Sequence, residues 1–250
     1  MNNHVSELLC KDMRTLGIAE GDTVMVHSSL RSLGPLPNGA ETVISALLEV
    51  LGEDGTLLFP ALSYRSVNAD NPVFDVKNSP CCVGGLSEYF RLREGTLRSI
   101  HPTHSVCGVG KKAAELLSGH EKDTTSCGKN SPFRKLSEQG DWILFIGCGI
   151  APNTSMHALE ELVNPPYLHG DYVNYKIVGS ENICTSMNVR RHNFRNYAQA
   201  YARMSRLLTP DELHYGSVLS SFCALMNIRA MWQKGYEMLS KDPFYFVRNI

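Results

Sequence analysis

The first 60 residues alternate between segments with helical spacing and short apolar segments with the length of strands. Helical spacing over 4–16 ends at Gly17, and Thr23–Val26 then forms a short apolar run. The same succession repeats, with helical spacing over Glu41–Leu51 and a second apolar run over Gly55–Pro60. A strand that is apolar throughout must be covered on both faces, so this alternation predicts an α/β layered fold.

Four later segments extend this prediction. Residues 63–82 are polar and contain two prolines, which predicts a long loop of the kind that is often functional. Trp142–Ile146 is the most apolar strand candidate, and it runs into a Gly-Cys-Gly turn. A two-stranded hairpin is expected around Gly179-Ser180, formed by Tyr172–Val178 and Ile183–Val189. The remainder is expected to be helical, with Val218–Leu239 as its longest amphipathic run, and we expect residues 1–250 to form one domain.

Composition excludes several classes of function. The net charge is −1 and the two signs are evenly mixed, so no basic patch indicates a nucleic-acid partner. The sequence contains no signal peptide and no apolar run long enough to span a membrane, which predicts a cytoplasmic protein. The eight cysteines form no C-x-x-C pair, which is typical of free thiols in a reducing compartment. Cysteines and histidines nowhere show the spacing of zinc ligands, so we expect no metal.

The segment after the Gly-Cys-Gly turn places a histidine beside two carboxylates on one helix. Asn153 is a good N-cap, and His157 has Glu160 at i+3 and Glu161 at i+4. A carboxylate on one ring nitrogen fixes the tautomer and leaves the other nitrogen free to accept a proton. The pattern alone is also typical of a solvated helix face. The position after an apolar strand favours a site, because ligands in α/β sheets bind at strand ends.

Six segments, in order over roughly residues 4–245, together resemble the aminoglycoside 3-N-acetyltransferase family. The most specific is the Thr-x-x-His-x-x-Glu motif of Thr154, His157 and Glu160. The other five lie upstream and are Val26–Gly34, Gly55–Pro60, Asn71–Asp75, His101–Ser105 and Gly128–Pro132. The resemblance implies a three-layer α/β/α sandwich around a central mixed sheet. It also implies direct transfer of acetyl from acetyl-coenzyme A, as co-substrate, to the 3-amino group of an aminoglycoside antibiotic, and hence a resistance enzyme.

The resemblance also assigns roles to residues. It implies that His157 is the general base, that Glu160 orients it, and that Thr154 belongs to the same catalytic motif. Two segments are implied to bind the coenzyme, with backbone N–H groups near Thr103–His104 polarising the acetyl carbonyl. The expected coenzyme-binding residues are His27, Ser28, Ser29, Leu30, Arg31, Ser32, Gly34, Thr103, His104 and Ser105. For the serines, ordinary capping at the end of a strand is an equal alternative.

A polycationic acceptor calls for carboxylates in its pocket. Tyr64, Asp75 and Glu161 are the expected substrate-binding residues, with Asp70 as a further candidate. For Asp75, a role in forming a turn is an equal alternative to substrate binding. For Glu161, the alternative is a structural carboxylate.

Three alternatives to the aminoglycoside acetyltransferase stay open. The first is an N-acetyltransferase for another amine, such as a metabolite or an amino-phosphonate. The second is a coenzyme-binding or scaffold protein without activity, and the third is a cysteine-nucleophile enzyme built on Cys148, which would show ping-pong kinetics. The sequence is compatible with a monomer or a homodimer.

Overall fold

A computed structural model describes residues 2–179 and 183–250. The α-helices, in chain order, are α1 (Asn2–Leu16), α2 (Ala40–Leu51), α3 (Gly85–Leu92), α4 (Ala113–Leu117), α5 (Pro132–Gln139), α6 (Ser155–Val163) and α7 (Ile228–Lys241). The strands are β1 (Thr23–Ser28), β2 (Thr56–Pro60), β3 (Val73–Asp75), β4 (Leu97–Arg98), β5 (Val106–Gly110), β6 (Trp142–Ile146), β7 (His169–Val178), β8 (Cys184–His192), β9 (Tyr197–Gln199), β10 (Leu213–Val218), β11 (Ser221–Asn227) and β12 (Val247–Asn249). Short 3-10 helices cover Leu30–Leu33, His120–Lys122 and Tyr201–Arg206.

Seven strands form a mixed central sheet in the order β10-β11-β6-β1-β2-β5-β4. β1 is parallel to both of its neighbours, β2 and β6, whereas the other neighbouring pairs are antiparallel. The parallel strands at the centre confirm the strands predicted near Thr23, Gly55 and Trp142.

Alternate residues of the central strands point to two different cores. Val24 and Val26 of β1 pack with Leu57 of β2 against apolar residues of α1, α2 and α3. Met25, which lies between the two valines, and Leu58, which follows Leu57, point to the other side of the sheet. There they pack against α4, α5, α6 and α7. Because successive strand residues face opposite sides of a sheet, this division gives helix, sheet and helix layers. The predicted α/β/α sandwich is confirmed.

A second sheet lies beside the first and has the order β3-β7-β8. Its own apolar cluster contains Phe74, Tyr175 and Val189. β7 and β8 form the predicted hairpin, whose Ser180 lies outside the described residues. β3 interrupts the segment 63–82 and pairs with β7, so the prediction of one long loop there is only partly correct.

The prediction of a continuous helix over Val218–Leu239 is wrong. Val218 is the last residue of β10, and the strand β11 follows, which pairs antiparallel with β6 and places Cys223 opposite Ile146. The helix begins only after Asn227, whose side chain accepts a hydrogen bond from the backbone N–H of Ala230 at 3.0 Å. A short apolar run fits either period, and pairing with the neighbouring strand decides between them. None of the helices in the described residues is long and apolar enough to cross a membrane.

Candidate active site

A cavity of about 480 Å³ opens at the carboxyl ends of the three parallel strands β1, β2 and β6. His27 and Ser28 end β1, Pro60 ends β2, and Cys148 follows β6. The loops beyond this edge diverge and leave a crevice, which is the usual ligand position in α/β sheets. The other walls come from the start of α6, from the segment 62–68, from β7 and β8, and from residues 194–201.

The turn from β6 into α6 sets the position of the cavity floor. Gly147 has φ +61°, and a Cβ at this position would lie 1.9 Å from Ser32 Oγ, so only glycine fits. The helix α6 begins at Ser155, and Asn153 Oδ1 accepts a hydrogen bond from the Ser155 N–H at 3.1 Å, which is the capping interaction expected of this asparagine. This cap brings His157, in the first turn of α6, to the cavity wall.

His157 is part of a buried network with one carboxylate and two tyrosines. Glu160 is fully buried, and its carboxylate accepts hydrogen bonds from Tyr167 Oη at 2.9 Å and from Tyr201 Oη at 2.6 Å. His157 Nδ1 lies 3.3 Å from the same carboxylate and 2.9 Å from Tyr201 Oη. Burial and the adjacent Glu160 carboxylate raise the pKa of Tyr201 well above its usual value, so the phenol keeps its proton.

This network fixes the tautomer of His157. Tyr201 has one hydroxyl proton, and it donates this proton in the 2.6 Å hydrogen bond to the Glu160 carboxylate. The Tyr201 oxygen therefore accepts a hydrogen bond, which the Nδ1–H of His157 donates. Nε2 of the same ring then carries a free lone pair, as a general base requires.

Glu161, the residue after Glu160 in α6, holds a second histidine, His192. Glu161 accepts hydrogen bonds from Thr125 Oγ1, from the Cys127 N–H at 2.9 Å and from His192 Nε2 at 2.7 Å. Burial lowers the pKa of His192 well below 6.5, so the neutral ring donates its Nε2–H to this carboxylate. Its Nδ1 lone pair is buried and has no partner among the described residues. The cavity wall therefore contains two histidines, each backed by one of two consecutive glutamates.

Two further histidines that line the cavity are also kept neutral. Burial lowers the pKa of His27 to about 3 and the pKa of His104 well below 6.5. His27 stacks on Phe145 with 5.3 Å between ring centroids, and its Nε2 has no partner among the described residues. His104 Nδ1 lies 2.8 Å from Thr103 Oγ1. These rings offer hydrogen-bonding nitrogens without positive charge.

The backbone around Thr103 differs from the expectation. The N–H groups of Thr103 and His104 both donate to His101 Nδ1, at 3.3 and 3.0 Å. Because these donors already have an acceptor, the arrangement contradicts an oxyanion hole at this turn. The side chains of Thr103 and His104 nevertheless line the cavity.

The structure separates the expected coenzyme-binding residues into two groups. His27, Ser28, Thr103 and His104 line the cavity. The others do not: Ser105 is fully buried and bonded to Ala61 O, and the rest lie along the 3-10 helix that follows β1, namely Ser29, Leu30, Arg31, Ser32 and Gly34. This segment reaches the surface at the exposed Arg31.

The expected substrate-binding residues are also separated. Tyr64 lines the cavity and is 43% exposed, but Asp75 and Glu161 do not line it. Asp75 closes a turn, where its carboxylate accepts from the N–H groups of Lys77 and Asn78. Glu161 is held behind His192, and Asp70 is an exposed loop residue outside the cavity wall. Within residues 2–179 and 183–250, no aspartate or glutamate side chain lines this cavity.

Cys148 lines the cavity, but its environment does not favour a nucleophile. Burial raises the pKa of its thiol to about 11, so the thiol is protonated at neutral pH. Its Sγ donates only to the carbonyl of the neighbouring Gly149, at 3.4 Å. The described residues place no base within hydrogen-bonding distance of this sulfur.

Four residues of the site were not predicted from the sequence: Tyr167, Arg191, His192 and Tyr201. They lie beyond α6, in segments without a recognisable motif. Arg191 lines the cavity with a buried Nε that has no partner among the described residues. The only signal was the density of histidine and tyrosine between 167 and 201, which has no position-specific meaning by itself.

The fold and cavity together define a class of α/β/α proteins with a buried histidine–glutamate pair at the carboxyl edge of the sheet. A family model for aminoglycoside 3-N-acetyltransferase matches residues 25–240. The chain therefore belongs to the aminoglycoside 3-N-acetyltransferase family.

Individual relatives agree with this membership. Aminoglycoside N(3)-acetyltransferase VII of Streptomyces paromomycinus is 32% identical over 175 residues, which are 63% of this chain and 60% of that protein. The chain thus spans about three fifths of the length of the curated relatives that it matches. The crystal structure of aminoglycoside acetyltransferase AAC(3)-IVa, a histidine-to-alanine mutant in complex with a gentamicin, has a TM-score of 0.83 at 26% identity and covers 96% of this chain and 90% of that one. The AAC-IIIb binary structure with CoASH has a TM-score of 0.82 at 25% identity, covering 94% and 96%.

Proposed function

We propose that this protein transfers the acetyl group of acetyl-coenzyme A directly to a primary amine, with His157 as general base. The observation that carries the proposal is the network that holds His157 Nδ1 on Tyr201 and Glu160, which leaves Nε2 as the ring nitrogen that can accept a proton. The relatives named as aminoglycoside N(3)-acetyltransferases and the structural neighbour with CoASH support the choice of reaction and co-substrate.

The reaction requires the ammonium form of the amine to lose two protons. The first is released to solvent, which frees the nitrogen lone pair, and His157 Nε2 removes the second as that lone pair attacks the thioester carbonyl. The C–N bond forms, the C–S bond breaks, and the proton on His157 passes to the departing thiolate, which gives a neutral amide and the free thiol of coenzyme A. The high pKa of Cys148 supports direct transfer without an acetyl-enzyme.

We assign the acetyl end of the co-substrate to the side of the cavity that is formed by His27, Ser28, Thr103 and His104. His27, whose buried Nε2 has no partner among the described residues, and Ser28 both line the cavity and carry hydrogen-bonding groups. The segment Ser29–Gly34 leads from there to the protein surface, which suits the longer, solvent-facing part of coenzyme A. Thr154 also lines the cavity, three residues before the base.

Two acceptor classes follow from different observations. The relatives favour the 3-amino group of an aminoglycoside. The cavity wall favours an amine with less positive charge than an aminoglycoside, because Arg191 lines the cavity and no carboxylate among the described residues does. A polycation would normally be matched by carboxylates in its pocket. The second candidate is therefore an N-acetyltransferase for a different amine metabolite.

Thiol release from acetyl-coenzyme A, measured against a panel of aminoglycosides and simple amines, tests both the reaction and the acceptor. His157→Ala should lower turnover by about 10²-fold or more, because general-base loss has this size. His4→Ala, an exposed position on α1, is the matched control and should leave turnover unchanged. Full activity of His157→Ala on every accepted amine would overturn the assignment of the base. Turnover only with amines other than aminoglycosides would select the second candidate.

A further inference from the structure

Three histidines from separate elements meet at one point of the cavity wall. One ring nitrogen from each of His104, His157 and His192 lies within 4.8 Å of the corresponding nitrogens of the other two. The ring centroids are 4.8–6.0 Å apart, and the interplanar angles are 42–83°. One nitrogen of each ring is therefore close enough to the other two for a single ion to contact all three after small ring movements.

One nitrogen of each ring is already held by an oxygen. His157 Nδ1 lies beside Tyr201 and Glu160, while His192 Nε2 donates to Glu161 at 2.7 Å. His104 Nδ1 contacts Thr103 Oγ1 at 2.8 Å. Histidines that bind metals almost always have this arrangement, in which an oxygen on the second nitrogen fixes the tautomer and orients the ring. The buried, unpartnered Nδ1 of His192 is the clearest vacant ligand position.

We propose that His104, His157 and His192 bind a single divalent ion of the zinc class. Tetrahedral zinc with Zn–N bonds of about 2.1 Å needs ligand nitrogens about 3.4 Å apart. Each pair of rings would therefore approach by at most roughly 1.4 Å, which small rotations of the rings provide. The two buried carboxylates behind the rings, Glu160 and Glu161, match the charge of a divalent cation. All three histidines line the cavity, so a fourth ligand would come from the cavity.

Metal binding has a consequence that rests on the proposed function. The ion would use the lone pair of His157 that removes the proton from the acceptor. It would also occupy the position of the acceptor ammonium. Zinc should therefore inhibit acetyl transfer in competition with the amine, and removal of the metal by a chelator should restore turnover.

Binding can be tested without any turnover. The full-length protein, stripped with a chelator, is titrated with Co²⁺ and followed by visible absorption, and Zn²⁺ is then added as competitor. We expect one ion per chain, the visible bands of tetrahedral Co²⁺, and displacement by Zn²⁺. His192→Gln and His104→Gln should weaken binding by at least about 10²-fold, and Glu161→Gln by about 10–100-fold.

Thiols are the competing explanation, since the described part of the chain contains free cysteines, including the adjacent Cys81 and Cys82. The double variant Cys81→Ser/Cys82→Ser and the variant His4→Ala should both bind Co²⁺ like the parent protein. A thiolate-to-cobalt charge-transfer band, loss of binding in the serine variant, or unchanged binding in His192→Gln would overturn the site. If His192→Gln does not fold, as judged by circular dichroism, Glu161→Gln decides by the same titration. Binding of Co²⁺ in a protein that acetylates no amine would refute the proposed function but not the metal site.

Discussion

Tyr201→Phe tests the network that defines the base, because it removes one hydroxyl with two partners. This hydroxyl donates to Glu160 at 2.6 Å and accepts from His157 at 2.9 Å. The ring itself is almost fully buried and is retained in the variant, so the apolar packing stays nearly the same. The variant therefore isolates the polar contribution of Tyr201 to stability and to the orientation of His157.

The size of the effect follows from the burial of Glu160. A hydrogen bond to a charged group contributes about 1.5–3 kcal/mol, and a fully buried carboxylate cannot replace it with water. For a chain of this length we expect the melting temperature to fall by roughly 3–12 °C. Turnover should fall by about 10-fold, because Nδ1 of His157 loses its nearest acceptor while the 3.3 Å contact with Glu160 remains.

Tyr167→Phe is the matched control. Tyr167 donates to the other oxygen of Glu160 at 2.9 Å, and its hydroxyl makes no hydrogen bond to His157. Urea unfolding should show similar stability losses for the two variants, whereas thiol release should be clearly slower only for Tyr201→Phe. Equal kinetic losses in both variants, or a Tyr201→Phe protein as stable and active as the parent, would refute the role assigned to this hydroxyl.

Two further predictions concern stability. Burial lowers the pKa of His27 and of His120 to about 3, so the unfolded chain binds their protons first as the pH falls below 6.5. Each of these two histidines should therefore lower the free energy of unfolding by about 1.4 kcal/mol per pH unit as the pH falls from 6.5 to 3. In urea unfolding, His120→Gln should therefore lose less stability than the parent between pH 7 and pH 5. Gly147→Ala should destabilise by more than about 1 kcal/mol in the same assay, because of its positive φ and the 1.9 Å clash with Ser32 Oγ. Stability equal to that of the parent would show that the turn adapts.

Sequence reasoning was most successful where local patterns agree with the tertiary structure. The run Trp142–Ile146 is apolar at every position, and the structure makes the same five residues a central strand with helices on both faces. It failed at Val218–Leu239, where the choice between strand and helix depends on pairing with β6, whose paired residues are 77 to 85 positions away in the sequence. Helical periodicity cannot detect such a partner, because it reads only neighbours along the chain.

The candidate site shows the same division. His157 and Glu160 are three residues apart, so helical geometry alone predicts their contact. Tyr201 and His192 reach the same cavity from the 3-10 helix and from the end of β8, and no spacing rule connects them to α6. The proposed metal ligands could not be predicted from spacing either, since residues 104, 157 and 192 are too far apart in the chain to form a motif.

The consecutive glutamates of α6 explain why a helical wheel misjudged this face. The wheel places Glu160 and Glu161 on a polar arc, which normally faces water. In the structure, Tyr201 covers one carboxylate and His192 the other, so both glutamate side chains are almost completely buried. Since adjacent helical residues point about 100° apart, each carboxylate can hold a different histidine. The two carboxylates of the polar arc therefore lie behind the histidines that line the cavity, and they orient two imidazoles instead of contacting solvent.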